Sequence, residues 1–150
     1  MTAGLYGMGM DDPYDLERFV AAQNDLGMFD RALGELRRGA KVGHWMWYVF
    51  PQIVGLGESD MSRRYGISSL AEARAYMRHP VLGPRLRECA SVLADMRGRT
   101  AEQILGPIDA MKLRSCATLF LRAEPAETVF QRVLDEFFDG GPDEATDRLL

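Results

Sequence analysis

The run Ser69–Met96, SLAEARAYMRHPVLGPRLRECASVLADM, decides the fold. Ser69 with Glu72 three residues on is a capping-box signature, in which a hydroxyl takes up the free N–H groups of a first helical turn. Leu70, Ala73 and Met77 then recur at the spacing of one helix face. His79-Pro80 ends the helix, because proline drives the residue before it out of the α region. Pro84 starts the next, since its fixed φ suits a first turn. Leu86, Cys89, Leu93 and Met96 share a face of that helix, and Gly98 closes it.

The same punctuation extends in both directions. Asp12-Pro13 supplies an N-cap and a first-turn proline, followed by Leu16, Phe19, Val20 and Gln23 at helical spacing. Phe29, Leu33 and Leu36 make another face, stopped by Gly39. Thr100 with Gln103 is a second, shorter capping box. Ile108, Met111, Ala117 and Phe120 predict a helix over 108–122. Pro125 opens one bearing Phe130, Val133, Leu134 and Phe137, broken by Gly140-Gly141, and Pro142 starts a short tail helix ending near Leu149. Only Trp45–Phe50 is apolar throughout, and six residues leave helix turn and strand both open. Pro51 ends it either way. The expectation is an all-α chain: one compact multi-helix domain over 12–150, about six to eight helices with one irregular Gly/Ser/Arg loop. Residues 1–11, rich in Gly and Met, are expected to be a flexible N-terminus.

The chain has 150 residues, enough to bury a core without staples, and 47% of them are hydrophobic, which argues against disorder. Eighteen basic against 22 acidic residues give a net charge of −4, so no basic footprint for nucleic acid exists. No apolar run approaches the ~20 residues of a membrane span, and the N-terminus lacks the basic and apolar regions of an export signal. Two cysteines, Cys89 and Cys116, each at helical spacing among apolar residues, read as buried thiols. Together these features predict a cytoplasmic protein. No H-x-x-x-H, C-x-x-C or E-x-x-H spacing occurs, so no metal site is expected and no cofactor is implied.

The stretch His44–Gly66, HWMWYVFPQIVGLGESDMSRRYG, carries the candidate chemistry. An aromatic run leads into a Gly-rich, hydroxyl-bearing, basic segment. Trp45 and Trp47 could stack on a flat ring, as aromatic side chains do at low entropy cost. Gln52, Ser62, Arg63, Arg64 and Tyr65 supply hydrogen bonds, and arginine offers a fork that suits phosphate or carboxylate. An imidazole such as that of His44 could act as acid, base or hydrogen-bond anchor. Asp109 and Lys112, three apart at a helix start, share a face with Ser115 a turn away. Each has a plain structural reading beside the functional one: core packing for the rings, a solvated turn for the arginines, a loop tie for His44, a local ion pair for Asp109 and Lys112.

Several segments resemble the bacterial "domain of unknown function 1810" family. They are Asp15–Phe19 with Gln23, His44–Tyr48 through Phe50–Gln52, Gly55–Gly57, Ser62 with Tyr65–Ile67, His79–Gly83, Lys112-Leu113 with Thr118–Phe120, and Phe137-Phe138. The resemblance spans nearly the whole chain and implies an all-helical domain without a settled activity. A fainter likeness, resting on Phe19, Ala22-Gln23 and the aromatic segment, is to a helical superfamily associated with NAD and ADP-ribose that includes an N-glycosidase.

The leading expectation is a binder of a small phosphorylated or nucleotide-like ligand. On the fainter likeness alone, it would be an N-glycosidase-like hydrolase using His44, Asp109 and Lys112. Substitution of Arg63 and Arg64 is then expected to abolish binding. The alternative is a protein-interaction module presenting residues 44–52 as an exposed patch. Oligomeric state is left open.

Overall fold

The computed structural model describes residues 11–150, so the tail expected over 1–11 lies outside the described residues apart from Asp11, which sits in a turn. Those residues form α1 (Glu17–Asn24), α2 (Met28–Arg38), α3 (Met46–Val49), α4 (Asp60–Tyr65), α5 (Leu70–Arg78), α6 (Leu82–Asp95), α7 (Ala101–Leu105), α8 (Pro107–Ala123), α9 (Val129–Phe137) and α10 (Glu144–Leu149). Helix makes up 66% of them, about twice the usual share, and no strand is present among them, so the domain is all-α. The nearest thing to a sheet is one parallel bridge between Ile53 and Ile67.

The capping chemistry sits where the residues place it, with local differences. Ser69 Oγ accepts the Glu72 N–H at 3.1 Å, but the Glu72 carboxylate turns to the backbone N–H and hydroxyl of Ser68 rather than closing the box. Thr100 and Gln103 form the full reciprocal box. Gly39 ends α2 in the left-handed region at φ 73°. Asp12 caps the Leu16 and Glu17 N–H groups, although α1 itself starts only at Glu17 because Asp15 at φ 52° breaks the first turn. Helix α6 begins two residues before Pro84. His79 Nδ1 accepts the N–H groups of Val81 and Leu82, so the residue that stops α5 also caps its successor. Burial lowers the His79 pKa, the nearby Arg85 adds to this and Asp12 opposes it, and a neutral ring is what that acceptor role needs.

Two expectations are corrected. The segment from Gly55 to Gly66 is not wholly irregular: Ser59 Oγ caps the Ser62 N–H, and residues 60–65 wind into α4. Ile108 and Met111, placed on one helical pattern with Ala117 and Phe120, do not share their burial and stand 70% and 72% exposed on α8. The helical pattern there is right, but the buried face of the first two turns is that of Ala110 and Leu113.

Helices α5, α6, α9 and α8 pack around one core, with α1 to α3 laid against it and α7 and α10 against α8. A chain of rings runs through the interior. Tyr48 meets Tyr65, Tyr65 meets Phe19, and Phe19 meets Tyr76 edge-on at 5.1 Å; Tyr76 then meets Phe120, and Phe120 meets Phe130. Such contacts add about 0.5–1.5 kcal/mol each beyond area burial. Buried Gln23 ties the layers together. Its amide donates to the Tyr48 carbonyl and the Tyr76 hydroxyl, and its oxygen accepts from Arg85. Both cysteines are free and buried; burial pushes the Cys89 thiol up to about 12 and the Cys116 thiol well above its ordinary value, which leaves neither nucleophilic.

Candidate functional site

The segment Trp45–Phe50 resolves as a single helical turn, and its residues fan around the axis. Trp45 is fully buried and its indole N–H donates to Glu35 Oε1 at 2.8 Å. Tyr48 and Phe50 are buried too. Trp47 alone of the four rings points outward, only partly covered.

Trp47 forms one wall of a cavity of about 480 Å³. Gln52, Leu56 and Gly57 of the following loop continue that wall, and Met111, Lys112, Arg114 and Ser115 of α8 form the opposite one. Phe138 after α9 and Asp143 ahead of α10 close the far end, with Glu102 and Ile108 also contributing. The volume lies within the range of small-molecule sites, which join an apolar lining to a few placed polar groups. Three other depressions of comparable size are more open. One lies between Asp12 and Arg78, one behind Pro80 and Pro84, and one beside Arg18 and Arg64.

The polar groups of this cavity are held in place. Lys112 Nζ sits 3.7 Å from the centre of the Trp47 ring and 3.2 Å from Asp109. Asp109 lies outside the lining and also pairs with Lys41 at 2.8 Å. Lys41 in turn lies over Trp45, so the two tryptophans and two lysines flank one carboxylate. Ser115 Oγ stands 3.1 Å from the Met111 carbonyl and 3.2 Å from Asp143 Oδ2. That same oxygen caps α10 through the N–H and hydroxyl of Thr146. Arg114 donates from Nε to the Gly141 carbonyl and lies over Phe138.

Of the residues expected to form the site, the structure brings together Trp47, Gln52 and Lys112, with Asp109 directly behind. The others lie elsewhere. His44 is exposed on the bend before α3 and does not line the cavity. Ser62 is buried, its hydroxyl donating to the Ser59 carbonyl. Arg63 pairs with Asp60 in solvent. Arg64 lies over Tyr65, and its side of the molecule forms the separate open groove near Arg18. Tyr65 is buried in the ring chain. These five residues do not line the space beside Trp47: His44 precedes α3, and α4 turns the basic segment onto the face that carries Arg18. The exposed-patch alternative for residues 44–52 fails on the same geometry, since three of its four rings are interior.

Sequence reasoning missed Glu35, Arg114, Phe138 and Asp143. Asp143 with Thr146 is an N-cap spacing that could have flagged the start of α10. Glu35 and Phe138 give no local signal, because their partners are distant in the chain. Among the described residues, no His, Cys, Asp or Glu cluster suits a metal ion, and no helix is long and apolar enough to cross a membrane.

Comparison with known proteins places the chain in a family. The family model for "Protein of unknown function (DUF1810)" matches residues 13–150, and the chain belongs to that family. The crystal structure of the conserved hypothetical protein Rv1873 from Mycobacterium tuberculosis is similar, at 50% identity and a TM-score of 0.89, over 93% of this chain and 98% of that one. No curated protein matches.

Proposed function

We propose that this member of the DUF1810 family binds a small ring-bearing metabolite, nucleotide-like in build, in the cavity between α3, α8 and α10. The observation that carries the reading is Trp47. It is the one ring of the aromatic segment that the core does not enclose, and it faces a concave space beside Lys112, Gln52 and Ser115. A ring of the ligand would lie against Trp47, with its polar arm toward the α8 side chains. The volume suits a nucleoside or mononucleotide, and a dinucleotide would protrude.

Binding without turnover is the favoured form. Of the expected catalytic trio, only Lys112 reaches the cavity. His44 lies outside it, and Asp109 is held by two ammonium groups. N-glycosidic cleavage would need a carboxylate free to activate water. Glu102 is the exposed carboxylate at the rim, and nothing in its surroundings orients it for that task.

A thermal-shift panel of nucleosides, mononucleotides and ADP-ribose tests the reading. A ligand at tenfold its dissociation constant stabilises by about 1.4 kcal/mol, which raises the melting temperature of a domain this size by about 3–6 °C. The shift should vanish in Trp47→Ala and persist in Arg63→Ala/Arg64→Ala. A shift that survives the first substitution, or is lost in the second, would relocate the site to the Arg18 groove.

A further inference from the structure

Building on the ligand-binding reading of the same cavity, we propose that its α8 wall holds an oxyanion seat centred on Lys112, with Lys41 as the positioning residue that keeps Lys112 available. The ligand class is then a small ring-bearing molecule that carries a phosphate or a carboxylate.

Asp109 stands between two ammonium groups, 2.8 Å from Lys41 and 3.2 Å from Lys112. Two cations against one carboxylate leave one positive charge in excess. The Lys41 side chain is only 8% exposed and does not line the cavity, so a ligand cannot reach it. Lys41 is also the nearer partner and therefore the main counter-ion of Asp109. The excess charge then falls on Lys112, which does line the cavity. Trp47 beneath it steadies the ammonium through its ring face, an attraction that adds no counter-charge.

No carboxylate of the lining pairs with Lys112 among the described residues. Asp143 keeps its charge but turns its Oδ2 to Thr146 and Ser115. No ion pair joins Glu102 to either lysine among the described residues. Arg114, the other cation of the lining, has its Nε on a backbone carbonyl and offsets the carboxylate charge of the lining without competing for Asp109. An anionic group entering beside Lys112 would thus meet a partly neutralised ammonium in a half-enclosed space, where charge-assisted hydrogen bonds are stronger than neutral ones.

Calorimetric titration of two matched pairs tests this: adenosine with adenosine 5′-monophosphate, and nicotinamide with nicotinate. Each pair keeps its ring and changes only the charged arm, so the pair that discriminates tells a phosphate seat from a carboxylate seat. The expected result is a preference of about tenfold or more for the anion in at least one pair. Lys112→Met should erase the preference. Lys41→Met should reduce it about threefold, because Asp109 then neutralises Lys112, and Asp109→Asn should increase it. The ratio is taken within each variant, so a packing defect that weakens both ligands cancels. Equal affinities in both pairs would overturn the seat while leaving the cavity as a ligand site. A preference that survives Lys112→Met, or moves the same way in Lys41→Met and Asp109→Asn, would also overturn it. Absence of binding by all four probes would overturn both the seat and the ligand reading.

Discussion

Glu35 shows how a single buried carboxylate sets the course of the chain. Its Oε1 accepts from the Val42 and Gly43 N–H groups and from the Trp45 indole, which pins the loop that leads into α3. Burial alone would raise its pKa. The three donors and nearby Arg38 outweigh that, and the net direction is downward. A carboxyl depressed in the folded state stabilises above its unfolded value of about 4.3, and that contribution is lost as pH falls through the lower folded value. Glu35→Gln should therefore cost about 1–2 kcal/mol at pH 7, since its neutral amide is a weaker acceptor for three N–H groups. Urea unfolding at pH 7 and at pH 3 checks this. The gap between variant and wild type should narrow in acid, and an unchanged gap would assign the cost to shape rather than charge. The same residue explains why Trp45 packs inward instead of forming a ligand wall. Its aromatic character is plain in the sequence, but the carboxylate that draws it inward lies ten positions upstream with no motif to announce it.

At the level of helices, most boundaries were legible because they are set by local chemistry. Gly39, Ser69, Thr100 and His79-Pro80 each act within four residues, and each stands where the sequence puts it. What was not legible depends on contacts between elements. Helix α6 starts early because it abuts the end of α5: a Cβ on Gly83 would lie 2.1 Å from the Met77 carbonyl oxygen. Gly83→Ala should accordingly force the two helices apart and cost about 1–3 kcal/mol, a fall of roughly 4–10 °C in melting temperature. Gly34 in α2 is the control, because a Cβ there would touch only the flexible end of Arg38 at 3.5 Å. Gly34→Ala should raise stability by about 0.5–1 kcal/mol. Thermal unfolding of the two variants should move in opposite directions, and a neutral Gly83→Ala would remove the close α5–α6 approach from the account. Helix α4 escaped notice for a related reason. Its six residues are too few for periodicity, and its Ser59 cap has no Glu or Gln three positions on to mark it.

Over the whole molecule, the candidate site arises where four separated segments meet. Trp47 comes from α3, Lys112 from α8, Phe138 from the end of α9, and Asp143 from the turn into α10. The turn is made by Asp139 and Gly140, both left-handed, and α10 is then fastened by a two-pronged Arg122–Asp147 pair and by the Asp143 N–H donating to Thr118. Sequence could identify Trp47, Gln52 and Lys112 as candidates from residue type, but not that α4 would carry Arg63 and Arg64 to another face. Convergence is a property of the tertiary path, and residue type is silent on it. Ile108 and Met111 line the cavity for the same reason: the outer face of α8, opposite buried Ala110 and Leu113, is the one that carries Lys112.

Occupation of the space beside Trp47 by a ligand can be read directly by nuclear magnetic resonance. The chain has only two tryptophans, so its nitrogen-15 correlation spectrum holds two indole N–H signals. One belongs to Trp45, locked on Glu35, and the other to Trp47 at the cavity. Titration with adenosine 5′-monophosphate should shift the Trp47 signal progressively and leave that of Trp45 in place. A saturable binding event that moves neither indole, or moves Trp45 alone, would contradict the account.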